Sequence, residues 1–454
     1  MHGAAAVLPT PTGPPLADGW VLIADGRVQA TGSGRPPRAR NKLDVRGCLV
    51  LPGLVCAHHH LFQGASRGVP TTGGLTGWLL THYPRWTDMS ANDVSAAAEL
   101  SIAQLLVRGA TTVAALEFLH PAGEDFVSPV VAAAERLGIR LRYVRGTTTV
   151  LEPGISDELT RRGVDCARLV EPPDLALARI RETISAPTHD RLRWACGPTT
   201  PVLDDGGEFQ RQLNRVAEEA DVPIHLHYHP LPPAGESIVD GFALADELGL
   251  VRRGNWFAHG SRLCPDDVAR LGTAGVGVVH CPSASMRLRY PLPELADWRD
   301  RNPRVAVGVD GAASNDRGSL LGEAQLAAYT QGQPHLTGRI GAADALDLVT
   351  AAAARTIGWP GAGTLTPGSL GDVAVFDLND LDSAGATADP DRALVRLFRT
   401  YSGARARWVL VGGEPVVADG LLRRGDEKQI AAAANSAAQR LYTVDRSLIA
   451  AEVE

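Results

Sequence analysis

The chain has 454 residues, 44% of them hydrophobic, with 44 Lys and Arg against 51 Asp and Glu for a net charge of −7. That length exceeds one ordinary core and suits a large barrel with a smaller accessory domain, while the lack of a basic stripe excludes nucleic acid as a partner. No apolar run reaches membrane-spanning length, the first fifteen residues lack the pattern of a secretory signal, and the six cysteines form no C-x-x-C pair; a reduced, cytoplasmic protein without a disulfide framework is expected.

The first elements are β. Trp20-Val21-Leu22-Ile23, Asp25-Gly26 and Val28 read as strand, turn, strand, because Asp-Gly favours a two-residue hairpin turn. Residues 70–86 form a long insertion with Gly73-Gly74, Trp78 and Trp86, expected as a lid-like loop at the mouth of a barrel. Through the middle, eight short apolar segments recur at 54–60, 111–115, 140–146, 193–198, 223–228, 255–259, 276–280 and 305–310. Helical patterns lie between most of them: 96–107, 208–220 (Phe209, Leu213, Val216 and Ala220 on one face) and 343–354. Strand–helix alternation eight times over predicts a parallel (β/α)₈ TIM-type barrel. A doubly wound open sheet would want a glycine-rich phosphate loop, and none is present. Near the end, Asp372–Phe376 reads as a strand, 408–417 as a glycine-turned hairpin and 429–453 as an alanine-rich helix. Both ends are therefore expected to build one small β-sandwich-like domain, from residues 1–50 and 361–454, around a barrel of 51–360.

Histidines and acids fall at the strand ends. His58 and His60 close the first, His225 and His227 the fifth, His259 the sixth, His280 the seventh and Asp310 the eighth. Residues i and i+2 of a strand share a face, and all barrel strands bring their carboxyl ends to one mouth. Five segments thus deliver imidazole and carboxylate to one place. That donor set suits Zn²⁺, with Fe²⁺ or Mn²⁺ as alternatives. A metal there acidifies a water so that hydroxide is available near neutral pH, and Asp310 is placed to accept the proton.

These segments resemble the amidohydrolase superfamily along nearly the whole chain. The resemblance rests on Leu51-Pro52-Gly53-Leu54-Val55-Cys56-Ala57-His58-His59-His60, on Val307-Gly308-Val309-Asp310-Gly311 and on the run from Pro367 to Asp377. Within it the chain is most similar to 8-oxoguanine deaminases and the triazine (chlorohydrolase-like) hydrolases. His58-His59-His60-Leu61-Phe62-Gln63, His280-Cys281-Pro282-Ser283 and Leu320-Leu321-Gly322-Glu323 carry that likeness. The resemblance implies His58, His60, His227 and Asp310 as metal ligands. It implies His259 as a contact to the attacking water or the substrate oxygen. Gln63 and Arg145 would lie near a small nitrogen-rich substrate, and Trp86 and His280 join them as candidate substrate contacts.

The fifth strand departs from the pattern. Relatives place a proton-shuttling glutamate three residues after the ligand histidine, and here that position is Pro230. In the second strand, the acid and histidine of relatives become Ala115 and Glu117, and the asparagine expected after His280-Cys281-Pro282 becomes Ser285. Three outcomes follow. His229 or Glu117 supplies the missing acid–base group, Glu117 otherwise meeting a cationic substrate group. Or the substrate is an amide, carbamate or cyclic imide that needs only the metal and Asp310. Or the chain only binds a ligand. A homodimer is expected from base rates.

Overall fold

The computed structural model describes residues 1–71, 73–121, 124–200, 207–229, 240–331, 339–379, 381, 389, 392–400 and 405–442. Two four-stranded parallel sheets make the barrel. The first holds strands Leu54–His59, Ala110–Glu117, Arg140–Thr147 and Leu192–Pro198; the second holds His225–Tyr228, Trp256–His259, Gly277–His280 and Val305–Val307. An isolated parallel bridge between Cys196 and Ile224 joins them on one side. On the other, the backbone N–H groups of Val309 and Asp310 both reach the His58 carbonyl, at 3.2 and 3.1 Å, so the eighth strand closes onto the first. Strands covered on both faces need apolar residues in succession, and every residue of Ala110–Glu117 and Arg140–Thr147 is buried.

The outer helices carry the expected one-sided pattern with small adjustments. Glu208–Glu219 buries Phe209, Leu213, Val216 and Ala217, each large apolar side chain adding about 1.5–3 kcal/mol. Ala220, expected on that face, is exposed, because the helix stops there and Asp221 turns the chain with φ 50°. The helix expected over 343–354 is two, Ala342–Leu348 and Ala351–Thr356. The break at Thr350 (φ −135°, ψ −99°) leaves the Val349 carbonyl to accept the Val55 N–H at 2.8 Å, so it ties the helix layer to the first barrel strand. The 70–86 insertion is not an open loop: Gly74–Trp86 is helical, and Trp78 and Trp86 turn inward. Of the last expected helix, Glu427–Tyr442 is observed and 443–453 lies outside the described residues.

Both chain ends share one eight-stranded sheet. Cys48–Pro52 pairs antiparallel with Val373–Asp377, with Val50 opposite Val375. In the first hairpin, Leu16–Ala24 and Arg27–Ser33, Asp25 and Gly26 both take positive φ (52° and 72°), the two-residue turn whose twist matches its strands.

Candidate metal centre

The donor atoms of His58, His227, His259 and Asp310 lie within 4.8 Å of one another, a set able to hold a metal ion. His60 adjoins it: its Nε2 is 3.0 Å from His227 Nε2 and 3.1 Å from Asp310 Oδ1. His58 Nε2 is 3.2 Å from the same carboxylate oxygen. Strand pleat explains the first pair, since His58 and His60 share a face. Two residues of the group sit in left-handed backbone, His259 with φ 66° and Asp310 with φ 64°, a strained conformation that recurs at functional sites. Asp310 is therefore not the last strand residue, as expected, but lies three past Val305–Val307, on the bend that carries its carboxylate inward.

Proton bookkeeping tests whether these residues fit a cation. His60 Nδ1 faces the Leu116 carbonyl at 2.5 Å. A carbonyl only accepts, so Nδ1 carries a hydrogen, and Nε2 is the ring atom that faces Asp310. His58 Nε2 and Asp310 Oδ1 are both buried with no hydrogen-bond partner despite their proximity. Lone pairs converging out of water are costly unless a cation lies among them. The residues fit a metal, and nitrogen with carboxylate oxygen is a zinc-type set. Burial keeps the imidazoles neutral, as ligands must be: it pushes His58 down to about 3 and lowers His227 and His259. Asp310 Oδ1 is the carboxylate oxygen that faces these nitrogens. The other oxygen, Oδ2, accepts from Ser314 Oγ at 2.5 Å and so fixes the carboxylate's rotation.

Around the donors lie further polar atoms without partners. His280 has neither ring nitrogen bonded, Gln63 neither amide atom, and His229 Nδ1 and His259 Nδ1 are also free. Gln63 packs over Gly311, where a Cβ would fall within 1.8 Å of its Oε1, so that glycine is what lets the carboxamide sit beside Asp310. His229 stacks on His259 at 5.0 Å and on Tyr290 at 4.4 Å between ring centroids.

Three sequence candidates are engaged elsewhere. Both Glu117 oxygens accept backbone N–H groups, from Leu61 at 2.6 Å and Phe62 at 3.0 Å, capping the 3₁₀ turn Leu61–Ser66. Burial pushes its carboxyl up to about 7. Arg145 is buried in a two-pronged pair with Glu171 (2.7 and 3.0 Å) that Thr147 and Arg179 complete. Trp86 is fully buried, donating to Ser66 Oγ at 2.9 Å and packing on Phe62 and His82. Pro230 lies outside the described residues, and Ser285 is buried in the short helix Pro282–Arg287. Sequence reading passed over Glu171 and Tyr290, each far along the chain from the group it touches; Ser314, four residues past Asp310, stands in the run Ala313-Ser314-Asn315-Asp316 that also carries the family likeness, but its hydrogen bond to the carboxylate was not foreseen.

Comparison with known proteins shows the family. The chain is 31% identical to the 8-oxoguanine deaminase of Pseudomonas aeruginosa, over 94% of this chain and 95% of that protein. It is 31% identical to a 5-methylthioadenosine/S-adenosylhomocysteine deaminase of Natronomonas pharaonis, over 85% of each. The solved structure of atrazine chlorohydrolase from Arthrobacter aurescens, complexed with zinc, superposes with a TM-score of 0.83 at 25% identity, covering 96% of this chain and 99% of that one. With the family model matching residues 49–414, the chain belongs to the amidohydrolase family and is a metal-dependent hydrolase of C–N bonds on a TIM-type barrel.

Proposed function

We propose that this chain is a zinc-dependent deaminase of a small nitrogen-rich heterocycle, in which His229 stands in for the fifth-strand acid. The observation that carries the choice is one of free and spent atoms: His229 Nδ1 is unpartnered beside His259, whereas both oxygens of Glu117 are held by backbone N–H groups. His58, His60, His227 and Asp310 would hold the metal, which when bound supplies a water acidic enough to attack near neutral pH. Asp310, anchored through Oδ2 by Ser314, takes the proton released at Oδ1 as the C–O bond forms. His259 and His280 face the oxygen side, and Gln63 offers one donor and one acceptor to the ring edge. Burial holds His229 well below the ordinary imidazole range, so the neutral ring acts as a shuttle: it accepts one proton of the attacking water and hands it to a ring nitrogen of the substrate, while the proton taken by Asp310 passes to the amino group as the C–N bond breaks and ammonia leaves. Such acid–base help is commonly worth ~10²–10⁴ in rate.

The barrel of 51–360 is the catalytic unit in this reading, with 1–50 and 361–454 as its accessory domain. The protein acts in the cytoplasm as a homodimer; six free cysteines suit a reducing compartment, and no described helix is long and apolar enough to cross a membrane.

The test is ammonia release from a panel of purines and pterins by wild type, His229→Phe and Glu117→Gln. We expect wild type to be active and His229→Phe to lose about 10²–10⁴ of its turnover, the usual worth of a general acid. Glu117→Gln should keep substrate affinity and lose roughly 1–3 kcal/mol of stability, because its amide N–H₂ would oppose a backbone donor. Equal turnover in His229→Phe overturns the assignment. A second reading, hydrolysis of an amide, carbamate or cyclic imide, is favoured by Asp310 being the acid that faces the donor cluster among the described residues. Silence on the ring panel with activity on cyclic amides selects it, and zinc-free protein silent on both selects a binding role.

A further inference from the structure

His225 lies on the fifth strand one pleat beneath His227, wholly buried, and none of the roles above uses it. Its Nδ1 is 2.8 Å from the Trp256 carbonyl and its Nε2 is 2.8 Å from His58 Nδ1. Its ring lies flat on the Trp256 indole, centroids 4.4 Å apart and planes within 10°. That indole is pinned in turn, donating through Nε1 to the Ala57 carbonyl at 3.1 Å. Three strands, the first, fifth and sixth, meet in this contact.

The protons in this chain of rings have one arrangement. The Trp256 carbonyl can only accept, so His225 Nδ1 must carry the hydrogen. A neutral His225 then has a bare Nε2, which can only accept, so His58 Nδ1 must carry a hydrogen too. His58 Nε2 is left with its lone pair, aimed at Asp310 and the donor cluster. His60 Nδ1 meets a carbonyl in one step, that of Leu116. Ligand imidazoles take their tautomer from what the second ring nitrogen meets.

We infer that His225 is a positioning residue for the metal centre, relaying the Trp256 carbonyl through a second imidazole to fix His58 as an Nε2 donor. It also strengthens that donor, because a hydrogen bond accepted from His58 Nδ1–H raises electron density at Nε2. The inference rests on the His58–Asp310 cluster holding the metal, and it is independent of which substrate is used.

Zinc affinity, read by competition with a chromophoric chelator, tests it in His225→Phe, His225→Gln, His225→Asn and, as a control, His58→Ala. His225→Phe should bind zinc about 10–100-fold more weakly, the usual cost of losing such a partner. His225→Gln, whose amide oxygen can still accept from His58, should recover most of that loss; His225→Asn, which is too short to reach, should not. Nitrogen-15 spectra of the imidazoles in metal-free wild type should show His58 protonated at Nδ1, and mixed tautomers in His225→Asn. Wild-type affinity in His225→Phe, or equal affinities in the Gln and Asn variants, overturns the relay. If His225→Phe does not fold, the Gln and Asn pair and the spectra still decide. Unchanged affinity in His58→Ala overturns instead the ligand assignment beneath it.

Discussion

The second to fourth barrel strands and the fifth to eighth strands end in equally polar side chains and use them in opposite ways. At the ends of the first group the polar side chains close on one another, although deeper in those strands Thr112 Oγ1, Arg142 Nε and Tyr143 OH stay unpaired. Glu117 caps a turn, Arg145 pairs with Glu171, and the Thr148 and Thr199 hydroxyls meet each other at 2.5 Å. In the second group, atoms of His229, His259, His280 and Asp310 are buried without partners. A buried polar atom left unpaired is expensive, so a fold retains several together only where something else will satisfy them. The contrast separates residues that hold the barrel together from those we propose to meet the metal and the substrate, and it does so among side chains that look alike in sequence.

That contrast can be broken at three points. The largest effect concerns the whole fold. His58 and His280 are both pushed by burial from 6.5 to about 3. Between those values the unfolded chain binds more protons than the folded one, so stability rises with pH and is lost as pH falls from 6.5 toward 3. Acid titration of metal-free protein, followed by circular dichroism, should show unfolding in that window, and saturating zinc should move it to lower pH. A pH-independent metal-free protein would mean that these imidazoles are not held neutral.

Next comes Asp310→Asn, which keeps the shape of the side chain and removes its basicity. Turnover should fall by roughly 10²–10⁴ with little change in the thermal midpoint. A variant that unfolds instead would place Asp310 with the structural group. Smaller, and opposite in kind, is Glu171→Leu. It leaves the Arg145 guanidinium buried and unpaired, at about 3–5 kcal/mol of stability, read by urea unfolding. Pairing it with Arg145→Met should restore most of the loss. If that double variant folds well but binds substrate poorly, Arg145 is more than a brace.

Much of this was legible in the sequence, for reasons that can be named. The eight apolar segments and the strand-end histidines carry the barrel and its mouth, because pleat and parallel packing turn spacing into direction. What escaped was decided by long-range pairing. Nothing near Glu117 in sequence announces that the N–H groups of Leu61 and Phe62 will claim its oxygens, and Glu171 lies 26 residues from the arginine it neutralises. The role of His225 escaped for a subtler reason. It shares a strand face with His227, so spacing groups the two, and only the carbonyl of a neighbouring strand separates a ligand from the residue that orients one.

The pairing of Val50 with Val375 bears on how the chain comes to be folded at all. The Cys48–Pro52 strand is made early and runs through Gly53 straight into the strand that bears His58. Its antiparallel partner Val373–Asp377 is made late, and at roughly 5–20 residues per second it follows by tens of seconds. Through that interval one apolar edge has no neighbour, and an unpaired edge invites wrong pairing between chains. Synthesis that stalls before residue 373 should therefore yield aggregates, and expression should respond to chaperone supply before it responds to zinc.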